Sequence, residues 1–180
     1  MTEKKKNELP KRKKKDANKV RILAETGSVQ NNLRGVLYKE AFERIKKGNE
    51  QGNYFEVIAL VDSVITDRLH SLLQHMRKHE NDDYEYQSVG KMLQIFNSER
   101  NERNFVIPPE FETLINNQIG ETWIRDRNFA AHSFVIVTNA NKTIDKEERM
   151  EILKRCAING EKYAKEMRTQ TDKIIIDMYR

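Results

Sequence analysis

Apolar residues recur at steps of three and four along most of this chain. The clearest run is Ile58, Val61, Ile65, Leu69, Leu72 and Met76. An α-helix takes 3.6 residues per turn, so that spacing lays the six side chains along one face. It predicts an amphipathic helix over about 53–79, closed by Asn81, Asp82 and Asp83. Ahead of it, Val36, Leu37, Ala41, Phe42 and Ile45 predict a helix over about 36–48, ended by Gly48 and Gly52. Residues 22–35, with Gly27, Ser28, Asn31, Asn32 and Gly35, read as irregular chain with at most a short helical turn. A shorter helix is expected at about 86–97, followed by a polar loop over 98–107.

Pro108-Pro109 opens the next helix, because proline is tolerated in a first turn, and Glu110 and Glu112 suit the positive end of its dipole. Phe111, Leu114 and Ile115 begin its buried side, Gly120 predicts a bend, and the helix then continues to about 137. Val135-Ile136-Val137 is strand-like in isolation, but no nearby run offers it a partner. Asn139 to Thr143 reads as a turn, and Asp145 with Glu148 as a capping box for the last helix. That helix keeps a three-four repeat through Met150, Leu153, Ala157, Gly160, Ala164, Met167, Thr171, Ile174 and Met178. Its small seam residues allow close approach of a neighbour. The expected fold is an all-α bundle of four or five helices with short connections and no internal repeat.

Composition agrees. Among 180 residues, 34% are charged and 37% apolar, with only 7 Gly and 3 Pro, so good helix formers dominate and breakers are few. The length suits one domain, over 21–180, with a proper core. No run of 18 apolar residues exists to span a membrane. A single cysteine, Cys156, excludes an internal disulfide and fits a reducing, cytoplasmic setting.

The net charge of +5 is unevenly placed. Residues 1–21 hold ten Lys/Arg against three acids, which leaves 23 basic and 25 acidic residues for the body. The basic character therefore belongs to a tail over 1–20, expected to be disordered because it has too little apolar surface to offset chain entropy. Its block Lys11, Arg12, Lys13, Lys14 and Lys15 would hold RNA phosphates without sequence choice; the plainer readings are a solubilising tail or an import patch.

The candidate chemistry lies in Trp123–Val137, where Arg127, Asn128 and His132 share an otherwise apolar segment. Asn128 and His132 are four apart and lie on one helix face. Arg127 and His132, five apart, are separated by about 140° around the axis, whereas Arg125 and His132, seven apart, share a face. Two such helices meeting face to face would bring both residue types into one groove.

Arg127-Asn128-x-x-x-His132 resembles the R-x(4–6)-H motif of HEPN superfamily domains, many of which are metal-independent ribonucleases acting as toxins or phage-defence effectors. The resemblance implies a helical bundle that forms a homodimer, with the two motifs facing each other and no cofactor or metal required. It implies catalytic roles for Arg127, Asn128 and His132, RNA as substrate, and an inhibitor or antitoxin protein as a further partner. Arg125 with His132 fits the longer motif spacing. Some toxins of this group carry a modified Tyr two residues after the His; here that position is Phe134, so that control does not carry over.

The residue types suit the chemistry. Cleavage without metal needs a base for the 2′-hydroxyl proton, an acid for the leaving 5′-oxygen and a cation for the phosphate charge. Histidine titrates near neutrality, and the arginine fork grips two phosphate oxygens without losing its charge. Asp62, Asp67 and Arg68 lie beside the apolar seam and are candidates to pair with Arg125 or Arg127 across the bundle and orient the site. The plain alternative is an Arg-Asn-His cluster that only joins helices, in a non-catalytic RNA-binding or regulatory module. His75 and His79 could hold zinc only with further ligands, and are more simply helix-end histidines. His70 falls on a solvated stripe, and Cys156 has no matching histidine for nucleophilic chemistry.

Overall fold

In the computed structural model, which describes residues 28–77, 87–133 and 143–180, the chain is all-α, with no strand among the described residues. The order is α1 (Ser28–Gln51), α2 (Tyr54–Met76), α3 (Val89–Glu102), α4 (Pro109–Thr113), a π-helical stretch (Leu114–Trp123), α5 (Ile124–Ser133) and α6 (Lys146–Met178). α4, the π stretch and α5 follow one another without a break. The basic block Lys11–Lys15, His79 and Val135–Val137 lie outside the described residues.

The strongest sequence repeat becomes the central helix. α2 buries Val57, Ile58, Val61, Val64, Ile65, Leu69, Leu72, Leu73 and Met76, more than one face of it, because α1, α3 and α6 all pack against it. The seam of α6 is buried from Leu153 to Ile174, with Met150 and Met178 only partly covered at its ends. Asp145 caps α6 by accepting a hydrogen bond from the Glu148 backbone N–H at 2.8 Å. Gly160 lets a large ring pack directly on α6. A β-carbon there would lie 2.5 Å from Trp123 Cζ3, 2.8 Å from Cη2 and 3.2 Å from Val61, so the Trp123 ring occupies the space of the missing side chain. No described helix is long and apolar enough to cross a membrane.

Three boundaries differ from the sequence expectation, and one glycine falls in an unexpected kind of helix. α1 begins at Ser28, inside the stretch expected to be irregular, because tertiary contact holds it: Arg34 pairs with Asp67 at 3.2 Å and Tyr38 is buried against α2. Such contacts override the weak helix propensity of Asn and Gly. α1 also passes through Gly48, which is buried where a β-carbon would meet Val57 Cγ2 at 2.6 Å. Gly52, with φ +80°, is the residue that ends the helix and turns the chain into α2. α3 runs on to Glu102, five residues further than expected, supported by Ser98–Glu102 and Arg103–Glu99 contacts one turn apart and by the Arg77–Glu99 ion pair to α2. Finally, Gly120 stands inside the ten-residue π stretch, whose wider turn lines up Ile115, Ile119 and Trp123 on the buried side.

Candidate functional site

α5 divides its residues between two sides. Arg127 and Ala130 continue inward from Trp123, the last residue of the π stretch, at spacings of four and three; Trp123 and Ala130 are almost wholly buried. Arg125, Asn128, Phe129 and His132 fall on the opposite side and are exposed. Arg125, Phe129 and His132 are spaced by four and three, and Asn128 stands one turn before His132, so all four share one broad face. The structure thus brings Arg125, Asn128 and His132 together on the surface, and sets Arg127 behind them at the edge of the core.

Arg127 is held there by Asp62 of α2. Its Nη1 lies 3.1 Å from Asp62 Oδ2, and both side chains are largely covered. The other oxygen, Asp62 Oδ1, accepts a hydrogen bond from Trp123 Nε1 at 2.8 Å. One carboxylate therefore receives the only polar atom of Trp123 and one end of Arg127. Burial raises the Asp62 carboxyl above its usual range, outweighing the pull of the Arg127 guanidinium and the indole N–H. Arg127 Nε is buried and has no hydrogen-bond partner. The charge is thus paired, while one buried donor of the guanidinium remains unsatisfied.

Asp67, five residues after Asp62, points to the other side of α2 and joins a separate network. Arg68, 6% exposed, donates to Tyr38 Oη at 2.5 Å, to Asp172 at 3.0 Å and to Asp67 at 2.9 Å. Tyr38 donates to Asp67, and Arg34 adds an ion pair. Burial alone would raise the Asp67 carboxyl, but Arg68, Arg34 and the Tyr38 hydroxyl hold it below its usual range. Burial pushes the Tyr38 phenol far up. This network joins α1, α2 and α6 and does not touch α5. Among the described residues Arg125 pairs with its neighbour Asp126, at 2.9 Å, on an exposed side chain.

Between α5 and α6 lies an open cleft of about 160 Å³, lined by Arg125, Asp126, Phe129, Ile152, Arg155 and Cys156. Cys156 forms part of its wall. Burial, with Asp126 and Asp62 nearby, pushes its thiol up to about 12, so it is protonated at neutral pH and serves as an apolar surface. His75 contacts the Tyr179 hydroxyl at 2.8 Å. Among the described residues no group of three or more His, Cys, Asp or Glu comes together.

The sequence reading missed the slot that Gly160 makes for Trp123, and it missed the cleft. A signal for the first existed: Gly160 stands in the apolar seam of α6, where a missing side chain leaves room for a large ring. The cleft depends on how α5 and α6 lie against each other, which no local pattern encodes. No family model, curated protein or solved structure matches the chain.

Proposed function

We propose that this protein is a metal-independent endoribonuclease whose active site forms where two copies of α5 meet across a twofold axis. The toxin or phage-defence setting, action in the cytoplasm and control by an inhibitor protein come with the HEPN resemblance. The observation that carries the reading is the exposed face of α5, where Arg125, Asn128 and His132 stand together, with Arg127 held behind them by Asp62. One chain supplies one such histidine. A twofold pair supplies two, because such an interface repeats the same patch on both sides.

In this reading one His132 takes the 2′-hydroxyl proton as the 2′-oxygen attacks phosphorus. The bond from phosphorus to the 5′-oxygen breaks, and the second His132 gives that oxygen a proton. The products are a 2′,3′-cyclic phosphate and a 5′-hydroxyl. An arginine neutralises the phosphate charge, and Asn128, one turn before His132, orients the imidazole or the phosphate. The tail block Lys11–Lys15 adds sequence-independent affinity.

The Asp62–Arg127 pair favours a second reading, a non-catalytic RNA-binding module in which that arginine is a strut between helices. Incubation with total RNA in EDTA separates the two. Wild type should cut and leave cyclic phosphate ends, and His132→Ala should not. Arg125→Ala and Arg127→Ala then show which arginine serves the phosphate. A folded His132→Ala protein that cuts at the wild-type rate ends the enzyme reading. Cleavage by a protein that sediments as a monomer ends the shared site.

A further inference from the structure

The cleft between α5 and α6 lies on the same side of α5 as His132. Phe129, 37% exposed, is one wall, and Ile152 and Cys156 complete the apolar part. Arg125 and Arg155 stand on the rim, with Asp126 as the one acid. An exposed phenylalanine on an otherwise charged surface costs solvation that burial elsewhere would avoid, and here it borders a recess rather than a flat patch. The volume, about 160 Å³, is below the roughly 300–1,000 Å³ of sites that enclose a whole small molecule, so it suits a single ring system.

We propose that this cleft binds one unpaired base of a single-stranded RNA, stacked on Phe129, with Arg125 and Arg155 taking the flanking phosphates. The inference rests on the ribonuclease reading for the position of the cut and supplies what that reading lacks: a reason for the chain to be held beside His132. An aromatic face accepts any base, and the two arginines that line the same cleft supply cations for the backbone, which is how single strands are bound without sequence choice. Arg125 is free to exchange partners. Its ion pair with Asp126 is solvent-exposed, and such pairs contribute little. The spacing also fits. Phe129 and His132 are three residues apart, about 4.5 Å along the helix axis. A base on Phe129 therefore leaves its own ribose and phosphate beside the imidazole. Duplex RNA cannot use the cleft, because its bases are stacked and paired.

The test measures binding of a short fluorescein-labelled single-stranded RNA, and of a duplex of the same length, in a His132→Ala background that prevents cutting. Phe129→Ala should weaken single-strand binding by about tenfold, and duplex binding much less. Phe129→Tyr, which keeps a ring, should restore it; Phe129→Leu, which keeps apolar bulk without a ring, should not. Arg155→Ala should reduce the slope of log affinity against log salt by about 0.7, one single-strand phosphate contact. If the wild-type protein cuts RNA but none of these variants changes affinity, the cleft is not a base site while the ribonuclease reading stands. If affinity falls as expected but wild type does not cut, the base site stands without the chemistry. If Phe129→Ala turns a dimer into a monomer and leaves RNA affinity per chain unchanged, the ring belongs to a protein interface and the proposal is overturned. If the protein binds no RNA, both readings fall.

Discussion

Gly160→Ala sets two opposing effects against each other, and the structure decides between them. In an isolated helix the change is favourable, because alanine exceeds glycine in helix propensity by about 1 kcal/mol. In α6 the new methyl would sit 2.5 and 2.8 Å from two ring carbons of Trp123. Carbon atoms rest at about 3.5–4.0 Å, so the ring must retreat by about 1 Å. It cannot do so freely, since the ring is fully buried and its indole N–H is tied to Asp62, while the new methyl would itself be held 3.2 Å from Val61. Overpacking of this kind costs about 1–3 kcal/mol, and loosening the indole hydrogen bond adds about 1 kcal/mol. The expected net loss is about 1–3 kcal/mol, out of the roughly 5–15 kcal/mol typical of a domain. Urea unfolding followed by the fluorescence of Trp123, the single tryptophan, reads the cost and the ring's environment together. Gly35→Ala is the control. It lies in α1, and a β-carbon there meets nothing within 4 Å, so only propensity acts and stability should rise by about 0.5–1 kcal/mol. A Gly160→Ala protein that gains stability like Gly35→Ala, with unchanged tryptophan emission, would refute the reasoning.

Two further outcomes follow from the paired carboxylates. Asp62→Ala strips both Trp123 Nε1 and Arg127 of their acceptor and should cost about 2–4 kcal/mol, whereas Asp62→Asn keeps an acceptor for the indole and should cost about half as much; equal urea midpoints for the two variants would show that the indole bond contributes nothing. Because the folded-state Asp67 carboxyl is held below its unfolded value, its stabilisation is complete above about pH 4 and is lost as pH falls through the still lower folded value. Asp67→Asn should therefore lower stability at neutral pH and flatten its decline in acid, as urea midpoints across the acid range would show.

The helical periodicity determined much of this molecule by itself. The α2 seam, the small-residue seam of α6 and its Asp145 cap are local, since each depends on residues within a few turns of one another. The separation of Arg127 from the Arg125–Asn128–His132 face was equally legible, because helix geometry alone turns residues five apart to different sides. Only packing decided the rest. That residues 28–35 are helical depends on Arg34 and Tyr38 meeting α2, far along the chain, which outweighs the propensities of the asparagines and glycine there. Asp62 and Asp67 looked equivalent beside the seam. Five residues of helix point them apart, and the positions of α5 on one side and of α1 and α6 on the other gave Asp62 to Arg127 and Asp67 to Arg68. The cleft beside Phe129 required α5 to lie against α6, just after the π stretch seats Trp123 in the space left at Gly160. Spacing along one helix shows which side chains stand together, whereas the partner each one meets is set by contacts between residues far apart in sequence.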